Sequence, residues 1–236
     1  MMERFQARMF NRKASNPKNR PDHILEVLNL LFVEQERSIF QVGDELRQNS
    51  GLVKTCGFHL EAVASPKTPQ ALACGSSESG QTIADIGAGG GYFSLRFARA
   101  VGENGRVYAV DTNPKFLRFI EEQARENGCA NVETILAAEG EHGLPDRSLD
   151  LVFMRNVCHH IEHRPSYFVE LRKKLNPTGK IAIVEYKPGG RISFHKMFGH
   201  YVPEEVVVKE MESSGYRLCE TYSFLPEESF TVYSLE

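Results

Sequence analysis

From Ile83 to Tyr92 the chain reads Ile-Ala-Asp-Ile-Gly-Ala-Gly-Gly-Gly-Tyr. It is an apolar strand that ends in an acid and then in a glycine-rich turn opening a helix. Glycine accepts positive φ and carries no Cβ, so such a turn brings backbone N–H groups close to a ligand at a helix N-terminus. A tight strand-to-helix turn alone seldom needs glycine at four of five positions, 87 to 91. A ligand-binding strand–turn–helix unit is therefore expected here, and it restricts the chain to folds that offer one.

Downstream of Thr82 the pattern alternates. Short β-branched or apolar runs at 82–86, 106–110, 132–136, 150–155 and 180–185 predict strands, and segments of helical spacing at 92–101, 114–127 and 165–175 predict helices between them. Pro114 and Pro165 sit where helices start, and Gly128 sits just past the end of one. The last two runs, 216–224 and 229–234, are joined by Leu225-Pro226-Glu227-Glu228, too short for a crossover helix, so they should pair antiparallel. The expected fold class is α/β, a Rossmann-like doubly wound sheet, mostly parallel, closing in a C-terminal antiparallel hairpin.

The region before Thr82 is built differently. Ile24, Leu25, Val27, Leu28 and Leu31 space as one side of an amphipathic helix, while residues 48–80 mix Ser, Gly, Pro and Thr with little periodicity. The expected organisation is an N-terminal helical cap at 1–30, an insertion or linker at 31–80, and the main domain at 81–236. The basic stretch Met2 to Arg20 carries Phe5, Met9 and Phe10. It could close over a site, with a membrane-surface role or an organellar presequence as rivals.

Charge and cysteine usage narrow the function classes. A net charge of −3 and a pI near 6.3 argue against affinity built on many phosphate contacts, so nucleic acid is not the expected partner. The five cysteines are odd in number and hold no CxxC pair, which fits a reducing cytoplasm. No apolar run approaches the ~20 residues that a spanning helix needs, so no transmembrane segment is expected.

Two acids then identify the kind of ligand. A GxGxxG fingerprint begun at Gly87 or Gly89 would need a small residue where the chain has Tyr92 or Ser94, so the dinucleotide pattern fails. Asp85, two residues ahead of the first glycine, would repel a pyrophosphate but could accept hydrogen bonds from a cationic amino-acid moiety, directly or through water. Asp111 ends the next strand, where a carboxylate can hold both hydroxyls of a ribose. Its alternative is to cap the helix that starts at Pro114.

The segments IADIGAGGGYFSLRFA, VYAVDTNP and LPDRSLDLVFMRNVCHHI resemble motifs of class I S-adenosylmethionine-dependent methyltransferases, over residues 82–236, and most closely the type-11 small-molecule group. The resemblance implies a seven-stranded sheet with a terminal hairpin, S-adenosylmethionine as cofactor, and a small-molecule methyl acceptor. It places Asp85, Gly87, Gly89, Gly91, Asp111, Thr112 and Asn156 around the cofactor. Where many relatives carry Gly-Asp-Ala after the third strand this chain reads Ala137-Ala138-Glu139-Gly140-Glu141, so Glu139 or Glu141 would have to serve the adenine.

Ligands in doubly wound folds gather at the carboxyl ends of the strands. Asn156, His159 and His160 follow the fourth strand, and Glu185, Tyr186 and Lys187 the fifth. His159, His160, Tyr186 and His195 are the acceptor-side candidates, against plain roles as helix cap or packing. Methyl transfer is an in-line displacement needing a base only when the acceptor must lose a proton, so none can be named catalytic from sequence. His159 and His163 lie four apart beside Cys158 and Glu162, but a structural zinc wants four convergent ligands and no metal is expected. Two rivals stay open: a nucleotide-cofactor oxidoreductase, and a non-catalytic cofactor-binding regulator acting through 31–80.

Overall fold

The computed structural model describes residues 80–138, 143–187, 201–225 and 227–236. The predicted N-terminal cap at 1–30, the segment 31–79, Glu139, Glu141 and the stretch holding His195 lie outside the described residues.

Seven strands form one sheet: β1 (Thr82–Ile86), β2 (Arg106–Asp111), β3 (Val132–Leu136), β4 (Leu149–Arg155), β5 (Leu175–Tyr186), β6 (Tyr216–Tyr222) and β7 (Glu228–Leu235). Their spatial order is β3-β2-β1-β4-β5-β7-β6. The first five run parallel, and β7 inserts antiparallel between β5 and β6. The expected Rossmann-like sheet with its terminal antiparallel hairpin is what the chain forms.

Among the described residues four helices cover the sheet: α1 (Tyr92–Val101), α2 (Pro114–Glu126), α3 (Arg164–Arg172) and α4 (Glu204–Ser213). Strand alternation sends neighbouring side chains to opposite faces. On β4, Val152 and Met154 share a core with Phe168 and Leu171 of α3 and Val207 and Met211 of α4. Phe153 between them turns the other way, onto Phe93 and Phe97 of α1, with ring centroids 4.8 and 5.2 Å away. On the same side as α2, Ala109 packs with Leu117 and Ile120. Both faces are thus buried, which explains why the inner strands read as nearly unbroken apolar runs.

Helix ends follow local chemistry. Asn113 caps α2, its Oδ1 accepting from the Lys115 amide at 3.0 Å, and Gly128 takes φ 69° just beyond the C-terminus. Two boundaries differ from expectation by three residues or more, and the others by at most two. α3 stops at Arg172 rather than 175, because Leu175 already pairs with Leu149 and begins β5 early. An irregularity between Leu149 and Leu151 then lets Lys180 resume the parallel ladder.

Parallel strands bring their carboxyl ends to one edge. Val110, Ile86, Met154 and Ile183 therefore lie side by side, and β7, running the other way, starts at that same edge with Glu228 opposite Tyr186.

Candidate active site

At this edge the glycine turn is knitted to the end of β2. The amides of Gly87 and Ala88 both donate to Val110 O, at 2.8 and 3.0 Å, and the Gly89 amide donates to Asp111 Oδ2 at 2.9 Å. The second Asp111 oxygen accepts from the Asn113 amide at 2.8 Å. The two loop tips face each other, and each carboxylate oxygen keeps capacity for a further donor. The capping alternative for Asp111 belongs instead to Asn113, the residue whose side chain caps α2.

The glycines divide by task. Gly91 is the N-cap of α1 in the left-handed conformation, φ 76°, and a Cβ there would meet Ile120 Cγ1 at 2.7 Å; a Cβ on Gly87 would meet Val157 at 2.8 Å. At Gly89 and Gly90 an added Cβ would meet nothing within 4 Å. The outer two permit packing, and the middle two leave the turn's surface bare.

Asp85 is buried at 3% exposure, its Oδ2 accepting from Ser94 Oγ at 2.5 Å. Burial pushes its carboxyl up from 3.8 to about 7, the Ser94 hydroxyl and amide pull it partly back, and Asp111 adds a smaller push upward. Thr112, next to Asp111, is exposed.

Across β1 from Asp111 lies Asn156, at the end of β4 with φ 53°, its amide donating to Val184 O at 2.8 Å. Its Nδ2 donates to Glu228 Oε1 at 2.8 Å, while Arg155 makes a two-point contact with the same carboxylate, Nε to Oε1 at 3.1 Å and Nη2 to Oε2 at 2.9 Å.

His159 lies in a single 3₁₀ turn, Cys158–His160, directly after this point. Its Nδ1 is 3.0 Å from Glu185 Oε1, with side-chain exposures of 6% and 1%. Burial lifts the Glu185 carboxyl from 4.5 to about 7, against the lowering effect of nearby amides. The alternative of His159 as a helix cap fails, since His163 occupies that place in α3. His160 is exposed and its ring centroid is 4.1 Å from that of His159. Tyr186 is half-buried at the end of β5 beside Glu228, and burial raises its phenol.

The structure thus brings together Asp85, the glycines and Asp111, sets Asn156 beside them through the Val157–Gly87 approach, and gathers His159, His160 and Tyr186 around Glu185. Sequence reasoning passed over two participants, Ser94 and Glu228. Ser94 answers Asp85. Glu185 was noted at the end of the fifth strand, an acid terminating an apolar strand as Asp85 and Asp111 also are, but was not placed among the acceptor-side candidates. Glu228 carried no readable signal, because only the antiparallel register of β7 takes it to Asn156.

Comparison with known proteins agrees with the fold and gives the family. A family model described as a methyltransferase domain matches residues 77–216. The ubiquinone/menaquinone biosynthesis C-methyltransferase UbiE of Vibrio parahaemolyticus is 26% identical over 162 residues, 66% of this chain and 62% of that protein. The chain therefore spans a little under two thirds of the length of that curated relative. A SAM-dependent methyltransferase from Aquifex aeolicus superposes with a TM-score of 0.61 at 27% identity, covering 66% of this chain and 82% of that one. The methyltransferase CalH, solved in complex with SAH, shares the fold, with a TM-score of 0.54 at 16% identity over 67% of this chain and 52% of that one.

Proposed function

The chain belongs to the methyltransferase-domain family, and from that premise we propose that it transfers the methyl group of S-adenosylmethionine to a small-molecule acceptor that gives up a proton. The observation that carries the proposal is the 2.9 Å bond from the Gly89 amide to Asp111, which makes one continuous binding edge out of the glycine turn and the end of β2.

The residues present fit the cofactor. Gly89 and Gly90 have no neighbour where a side chain would stand, Asp111 keeps acceptor capacity for ribose hydroxyls, and Asp85 offers an acid near the amino-acid end. When bound, S-adenosylmethionine supplies a sulfonium methyl group open to in-line displacement.

The protein's own chemistry lies in the His159–Glu185 pair. An ionised Glu185 accepts from Nδ1–H of His159, fixing the tautomer in which Nε2 carries the lone pair that takes a proton from the acceptor. Were Glu185 protonated, it would donate to Nδ1 instead and leave Nε2 carrying hydrogen, unable to act as a base. The pair therefore suits a hydroxyl, or a carbon acidified by a neighbouring hydroxyl, and the C-methyltransferase named above supports the second class. A cytoplasmic site of action belongs to the same proposal; the described cysteines, Cys129, Cys158 and Cys219, are not in disulfides, and no described helix is long and apolar enough to cross a membrane.

The test is transfer of isotope-labelled methyl from S-adenosylmethionine across a panel of phenols, enols, thioethers and tertiary amines. Label should appear only on acceptors that lose a proton. Methylation of thioethers at comparable rates would refute the base, and bound cofactor without any transfer would favour the regulatory rival. Preference for NADH over S-adenosylmethionine in a fluorescence titration would favour the oxidoreductase.

A further inference from the structure

Glu228, at the start of β7, has a carboxylate that accepts from Arg155 on one side and from Asn156 Nδ2 on the other. A carboxylate only accepts, so it dictates which way the Asn156 amide faces: NH₂ toward β7, carbonyl away from it. The rest of Asn156 is equally constrained, with a left-handed backbone and its amide tied to Val184 O. The outcome is a buried Oδ1 with no hydrogen-bond donor among the described residues. An unpaired buried carbonyl is a standing cost, which a ligand bringing an N–H group removes.

Which group that is follows from strand order. The sheet runs β2, β1, β4 across the edge, so Asp111 lies on one side of the glycine turn and Asn156 on the other. The next residue, Val157, lies against Gly87, where an added Cβ would come within 2.8 Å of it. With the ribose held at Asp111, the adenosine end of the cofactor occupies the β2 and β3 side. Its ribose hydroxyls and adenine amino group are thereby placed, and the donor left for the β4 side is the α-ammonium of the amino-acid end.

We infer that Glu228 is a positioning residue that locks the Asn156 amide so that its carbonyl receives the α-ammonium of the cofactor. This rests on the cofactor proposal above. It makes the antiparallel strand β7 part of cofactor recognition, although β7 is separated from the glycine turn by β4 and β5.

Calorimetric titration of the full chain with S-adenosylhomocysteine and with 5′-methylthioadenosine, which lacks the amino-acid end, tests it. Asn156→Gly removes the carbonyl while suiting φ 53°, and thermal melting monitors its fold. It should weaken S-adenosylhomocysteine about tenfold or more, as for loss of a charged hydrogen bond, and leave methylthioadenosine within about twofold. Glu228→Gln, which no longer dictates the amide's orientation, should shrink the same ratio by a smaller factor. An unchanged ratio in Asn156→Gly, or equal losses for both ligands, overturns the inference while the cofactor proposal stands. A wild-type chain that binds neither ligand overturns both.

Discussion

Along the carboxyl edge of the sheet, the β1–β2 end is made of main chain: amides of Gly87, Ala88 and Gly89 converging on Val110 and Asp111. The β4–β5–β7 end is made of side chains, His159 on Glu185 and Asn156 with Arg155 on Glu228. Backbone amides do not titrate, so they fix the shape of the turn whatever the pH. Paired side chains can change protonation, and so can perform chemistry. The contrast suggests a division of labour, the adenosine part of the cofactor held at the main-chain end, and proton handling by His159 and Glu185 placed beside the amino-acid contact of Asn156 at the side-chain end.

The harshest way to break that division is His159→Ala. Turnover should fall by about 10²–10⁴-fold, the usual worth of a general base, with S-adenosylhomocysteine affinity within about twofold. A parallel loss of affinity in calorimetry would show that the two ends are not separate. In the wild type, turnover should rise as pH climbs through about 7, where Glu185 ionises and fixes the base-competent tautomer.

Asp85 blurs the boundary, being a titrating group at the binding end. Its folded carboxyl sits near 7 against an ordinary 3.8, so between those values the unfolded chain gives up a proton that the folded chain keeps. The ligand-free protein should therefore lose stability as pH rises from about 4 to 7. Asp85→Asn should raise stability at pH 8 by roughly 2–4 kcal/mol, read by denaturant melts, and lower affinity for a cationic amino-acid ligand. A destabilised Asp85→Asn would mean that Ser94 and its neighbours favour the ionised acid after all.

Asp111→Ala should cost about 1.5–3 kcal/mol of cofactor affinity by calorimetry, with turnover at saturating cofactor nearly kept. The smallest effects separate the glycines. Gly91→Ala combines positive φ with a 2.7 Å approach to Ile120 and should lose about 1–3 kcal/mol of stability. Gly90→Ala, in open space, should stay within about 0.5 kcal/mol on melting and show itself only in cofactor affinity. Equal melting of the two would deny that the outer and middle glycines have different tasks.

The binding end was legible because its signals are contiguous. An apolar strand, an acid, spaced glycines and a second strand ending in Asp111 are short-range patterns, and the strand and helix periods around them gave the sheet. The other end was legible only in part. His159 and His160 were visible as candidates after β4, and Glu185 as an acid at the end of β5, yet nothing in either run says that the two meet at 3.0 Å. Glu228 lay in what read as a hairpin connection and proves to be the first residue of β7.

The amino-acid sequence by itself determined the α/β alternation, the glycine turn, the acid at Asp111 and the family, because each depends on neighbours in the chain and on the fixed periods of helix and strand. Tertiary structure alone decided that β7 enters between β5 and β6, and hence that Glu228 reaches Asn156 across 72 positions. Strand order and register are settled by burial over the whole sheet, and no local run of residues encodes them.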